Sequence, residues 1–182
     1  MLSALASVVR EIEAHAAESG WDQAARLFAL VPTGELARAE PELARVLGLD
    51  ADSDGLTPVD QELSADIDLE QSLTTIMWPV EVVGCAAVVE RLVLPPSADA
   101  AIPDDRARAA SYAAEHPERQ ELRIVAAATR DGTTHCAMRF RSHDDASSVV
   151  TGPDLVPALL ELLQASLLDE PMADQPRTEE TT

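Results

Sequence analysis

The sequence predicts an α+β fold: an antiparallel sheet of about five strands with helices packed on it. Three observations carry this expectation. Residues 122–141 read as two apolar-rich strands around Asp131-Gly132, one of the strongest short-range hairpin signals a single sequence can give. Helix-like and strand-like stretches alternate irregularly, without the strict βαβ order of a doubly wound sheet. No Gly-rich turn follows the first strand-like run.

In chain order, Leu2, Leu5, Val8, Val9 and Ile12 recur at helical spacing, with Glu11, Glu13 and Glu18 expected on the wet side and Gly20 as the stop. Residues 27–31 (LFALV) read as a short buried strand ended by Pro32. Thr33 is a candidate cap for a helix over 34–48, broken at Pro41 and ended by Gly48, with Leu36, Leu43 and Leu47 expected to face inward. Residues 50–55 (DADSDG) resemble the start of a calcium loop. The twelfth position falls on Gln61 rather than an acid, so an acidic surface turn is the better reading.

Residues 56–63 suit an edge strand, where Pro58 is tolerated. Ser64 would cap a helix over 66–77 carrying Ile67, Leu69, Leu73 and Ile76. Residues 82–94 form the second strong strand, with Gly84 at its start or at a bulge and Pro95-Pro96 closing it. A loop over 97–103 leads to an Ala-rich helix over 104–115, whose early acids suit the helix dipole.

The hairpin register follows from side-chain faces. A two-residue turn pairs residues whose numbers sum to 263 and sets Ile124 opposite Arg139. A three-residue turn with Gly132 in a left-handed bulge gives 262, matching Leu122 with Phe140, Ile124 with Met138 and Ala126 with Cys136. The apolar match favours the bulged turn. It also puts Arg123 opposite Arg139, a like-charge pair that acids elsewhere must neutralise. A polar loop over 142–148 and a short strand end at Val149-Val150 follow. Thr151 would cap a final helix over 154–168, whose Leu155, Leu159, Leu162, Leu163 and Leu167 are expected to cover the hairpin's apolar face. Residues 1–168 therefore read as a single domain, and 169–182 as a disordered acidic tail.

Composition bounds the function. Acids outnumber bases 33 to 13, giving a net charge of −20, which argues against nucleic acid and anionic membrane as partners. No stretch is long and apolar enough for a span, and the first residues lack a basic signal-peptide start, so a cytoplasmic setting is expected. All 13 basic residues are Arg, a bias of the kind a GC-rich genome imposes. Cys85 and Cys136 read as reduced core residues on adjacent strands.

No catalytic motif is present: neither G-x-S-x-G, a Walker loop, HExxH nor CxxC occurs, and no cofactor is implied. His135 cannot readily activate Cys136, because neighbouring strand residues point to opposite faces. His143-Asp144-Asp145, with His135, could supply metal donors, though a solvated loop is the simpler reading. The one basic concentration is Arg119, Arg123, Arg130, Arg139 and Arg141. Of these, Arg123, Arg139 and Arg141 share a sheet face with His135, a candidate site for an anion or an acidic partner. Internal pairing with the surrounding acids is the alternative.

The segments WDQAARLFALVPTGEL, TIMWPVEVVGCAAVVERLVLPP, HPERQELRIVAAATRDGTTHCAMRFRSHDD and VVTGPDLVPALLELLQASL resemble a family of short uncharacterised actinobacterial proteins over roughly residues 20–168. That resemblance implies a bacterial cytoplasmic setting and no assigned activity. In element order alone the chain is also similar to the α+β fold of type III secretion chaperones, small acidic proteins that bind partners without chemistry. The expectation is thus a non-enzymatic adaptor or chaperone-like module with an unidentified protein partner, a homodimer being left open. A small anionic-ligand binder or enzyme built on the Arg/His face is the alternative.

Overall fold

Alternation of apolar residues in the strands, and helical spacing outside them, produces a six-stranded antiparallel sheet with a helical layer on each face. The computed structural model describes residues 3–63 and 68–168. The elements are α1 (Ala4–Glu18), β1 (Arg26–Pro32), α2 (Thr33–Ala39), α3 (Pro41–Leu47), β2 (Leu56–Gln61) and α4 (Leu69–Thr75). They continue with β3 (Gly84–Val93), α5 (Arg106–Glu115), β4 (Gln120–Thr129), β5 (Thr134–Phe140), β6 (Val150–Gly152) and α6 (Pro157–Leu167). The strand order is β2-β1-β3-β4-β5-β6, every neighbour antiparallel. Among the described residues no helix is long and apolar enough to cross a membrane.

The period-two pattern splits the core in two. Leu27, Ala29, Cys85, Ala87, Val89, Leu122, Ile124, Ala126 and Cys136 face α4 and α6, with Trp78 and Val82 completing that layer. Phe28, Leu30, Ala86, Val88, Val125, Ala127 and Ala137 face α1 through Leu5, Val8, Val9 and Ile12. Alanines at the sheet centre leave room for the leucines of α4 and α6 on one side and for Leu5, Val8, Val9 and Ile12 of α1 on the other.

The hairpin takes the register expected of a bulged turn. Leu122 opposes Phe140, Ile124 opposes Met138, Ala126 opposes Cys136, and Arg123 stands opposite Arg139. Gly132 has φ 85°, the left-handed conformation that the bulge requires. Gly84 opens β3 where a Cβ would lie 2.6 Å from the Ala128 carbonyl, so only glycine fits that approach. On the outer edge, Leu30 turns its carbonyl to the Val83 amide at 3.0 Å, away from its β2 neighbour Pro58. The missing N–H of Pro58 therefore falls on the free side of the sheet, where it breaks no ladder bond.

Several expectations are corrected. The sheet has six strands rather than about five, because residues 150–152 pair with β5. Thr151 is part of β6 and caps nothing; α6 starts at Pro157, whose ring suits the first helical position. Thr33 is helical, and its hydroxyl bonds that of Thr57 at 2.9 Å. Leu43 and Leu47 point outward, α3 being seated by Ala44, while Leu36 is half-buried. Glu13 is buried rather than wet. The helix expected over 66–77 is the shorter α4, capped by Asp68, with Ile76 just past its end. Residues 96–101 form a short 3-10 turn instead of a plain loop. Cys85 and Cys136 are free and share a face, but β4 lies between their strands, so they are not on adjacent ones. Leu2, the Ser64 cap, the 66–67 start with Ile67, and the 169–182 tail lie outside the described residues.

Candidate functional site

Arg123, Arg139 and Arg141 lie on the α1 side of the sheet, where the α1–β1 connection meets Arg123 and Arg141 and α1 itself meets Arg139. Alternation along β4 and β5 aims the first two at α1, where low dielectric demands partners. Arg139, 5% exposed, forms a bidentate pair with Glu13 of α1, Nε to Oε1 at 2.6 Å and Nη2 to Oε2 at 2.9 Å. Its Nη1 reaches Asp144 at 3.3 Å. The Glu13 hydrogen bond raises the Arg139 pKa further, so the fork stays charged.

Arg123 is 1% exposed. Its Nη2 donates to Glu90 Oε1 at 3.0 Å and to the Gly20 carbonyl, and its guanidinium lies 4.5 Å over the Trp21 ring. Its Nη1 meets no partner among the described residues. The side chain helps line a cavity of about 30 Å³ with Ala16, Ser19, Gln23 and Glu90.

Arg141 clamps both Asp22 oxygens at 2.9 and 3.0 Å and reaches Glu121 at 2.6 Å. These bonds raise its own pKa, and the Arg141 hydrogen bond holds the Asp22 carboxyl below its ordinary 3.8. Asp22 itself adopts φ 65°, a strained conformation for a non-glycine. Glu90 Oε2 accepts from the Asp22 and Gln23 amides at 2.7 and 3.3 Å, while Trp21 Nε1 donates to Asp144 at 2.9 Å. Three arginines are thus tied to Glu13, Asp22, Glu90, Glu121 and Asp144. An incoming anion would have to displace these carboxylates.

His135 shares the face but stands apart, opposite Ala127. Burial and the nearby Arg10 charge lower its pKa, and its Nε2 has no partner among the described residues. The sequence points to the arginines but not to Trp21, Glu13 and Glu90, which the fold brings to them. One signal was available for Glu13, which lies four residues after Val9 and three before Ala16, on the apolar stripe of α1.

Among the described residues the remaining candidates hold no comparable constellation. Among the described residues no group of three His, Cys, Asp or Glu side chains could hold a metal. In the acidic turn, Asp50 Oδ1 accepts from the Asp52 amide at 2.9 Å and its carbonyl from Ser53 at 3.1 Å, a self-contained loop. Cys85 is pushed up to about 12 by burial, with Ser166 and the Leu163 carbonyl beside its sulfur. Arg130 ties the hairpin turn to α6 through the Leu167 carbonyl at 2.6 Å and to Val82 at 2.8 Å.

At the surface, α3 presents Leu43, Val46 and Leu47 at 43, 73 and 55% exposure. They share one face of the helix. No curated protein and no solved structure matches the chain. A family model described as PPA1309-like protein matches residues 5–168.

Proposed function

The chain belongs to the PPA1309-like protein family, and we propose that it is a non-enzymatic protein-interaction module of the adaptor or chaperone-like kind. The observation that carries this reading is the outward-facing trio Leu43, Val46 and Leu47 on α3. Apolar side chains grouped on an exposed face have a natural use in binding another protein. Thirteen arginines without a lysine fit a GC-rich genome, in keeping with the actinobacterial, cytoplasmic setting that the family resemblance implies. Against the anionic-ligand or enzymatic alternative stands the pairing of Arg123, Arg139 and Arg141 with carboxylates of the chain itself.

The test is co-purification from the native host, comparing the tagged chain with a Val46→Gln/Leu47→Gln variant. The expected result is a stoichiometric protein retained by the first and lost by the second, with identical melting curves. A chain that retains no protein in stoichiometric amount, or turns over a small anion, would remove this reading.

A further inference from the structure

The geometry points to α3 and the loop after it as the docking surface for a basic amphipathic helix of a partner protein; the inference rests on the interaction reading above. Leu43, Val46 and Leu47 lie three and four residues apart, so they form one short apolar strip. The helix is seated through Ala44 instead, which is buried. The exposed trio alone does not say which kind of partner it takes. Its surroundings say what chemistry fits it.

Residues 33–55 carry Glu35, Glu40, Glu42, Asp50, Asp52 and Asp54, all exposed, against only Arg38 and Arg45. The two arginines leave an excess of four acids over this segment. Arg45 is tied to Glu42 at 3.1 Å, and Arg38 donates to the Ala51 carbonyl at 2.8 Å. An apolar strip on a segment with this excess of exposed acids is complemented by a helix with aliphatic residues at i, i+3 and i+4 flanked by Arg or Lys. A second copy would bring the same excess of acids on this segment, on a chain whose own net charge is −20. The chain's own residues 169–182 hold Asp169, Glu170, Asp174, Glu179 and Glu180 against Arg177, the wrong sign for this face.

The experiment titrates a fluorescein-labelled peptide of about five helical turns, with leucines on one face and arginines elsewhere, into the full chain. A control peptide has the same composition with its leucines scattered. The patterned peptide should bind about tenfold tighter than the control, and Val46→Gln/Leu47→Gln should erase that preference while the melting curve stays unchanged. Raised salt should weaken both peptides. Equal binding of the two peptides, or a preference that survives in the variant, overturns the proposal. So does a dimer in sedimentation that the variant dissociates, which would give the face to a second copy. Binding that appears only after removal of residues 169–182 would give it to the tail and overturn the proposal likewise. If the preference is absent while the host protein is still lost by the variant, the partner chemistry fails and the interaction reading stands.

Discussion

Arg123 and Arg139 face each other across β4 and β5, and each is tolerated there because a carboxylate arrives from a different element. Glu13→Ala would leave the buried Arg139 with Asp144 alone. The loss should be about 3–5 kcal/mol, seen as a lower urea midpoint with an unchanged slope. Acid should weaken the fold in two stages. The folded-state pKa of His135 is depressed below 6.5 by burial first and Arg10 second. The unfolded chain therefore takes up that proton first, and stability falls as pH drops below 6.5 toward the folded value. Asp22, Asp131 and Asp145 are all held below 3.8 by hydrogen bonds, so what they contribute is present above 3.8 and lost on falling through their lower folded values. Urea midpoints measured from pH 8 to pH 3 should trace both stages, and His135→Leu should remove the first. Burial also keeps Cys85 and Cys136 protonated. A thiol reagent should therefore label neither in the native chain and both in denaturant.

Among the elements, α6 has the most to lose. Leu163, fully buried between α6 and the sheet, should cost about 2–5 kcal/mol on truncation to Ala. A chain ending before Pro157 should lose its cooperative melt, because the apolar face of β3, β4 and β5 would be left in water. The hairpin register was legible in the sequence because one slip moves every apolar side chain to the wrong face. The start of α6 was not, because Thr151 suits a cap and a strand equally and only its pairing with Ala137 decides between them. Periodicity likewise marks Leu43 and Leu47 as one face of a helix but does not say whether anything lies over it. The arginine cluster was half legible: like charges opposite each other called for acids, but which acids depended on how α1 and β3 pack.

For the whole molecule, a charge of −20 on a small domain means mutual repulsion that salt relieves. The melting temperature should rise between low and physiological ionic strength, whereas the energetic coupling of Glu13 with Arg139 in a double-mutant cycle should hardly change. Both edges of the sheet are blunted, one by Pro58 and the other by a strand of three residues, which limits sheet-to-sheet growth. The facing arginines of the hairpin have a kinetic consequence. A hairpin is ordinarily a local structure that can close in microseconds. Here its two strands bring positive charges together, and the acids that balance the facing pair all lie outside it: Glu13, 126 residues from Arg139, Glu90 on β3, and Asp144 just past β5. Pairing of β4 with β5 should then wait for α1 and β3, and an excised 120–141 peptide should show no hairpin by NMR. Folding of the intact chain would be a single collective step in which the first helix synthesised docks among the last.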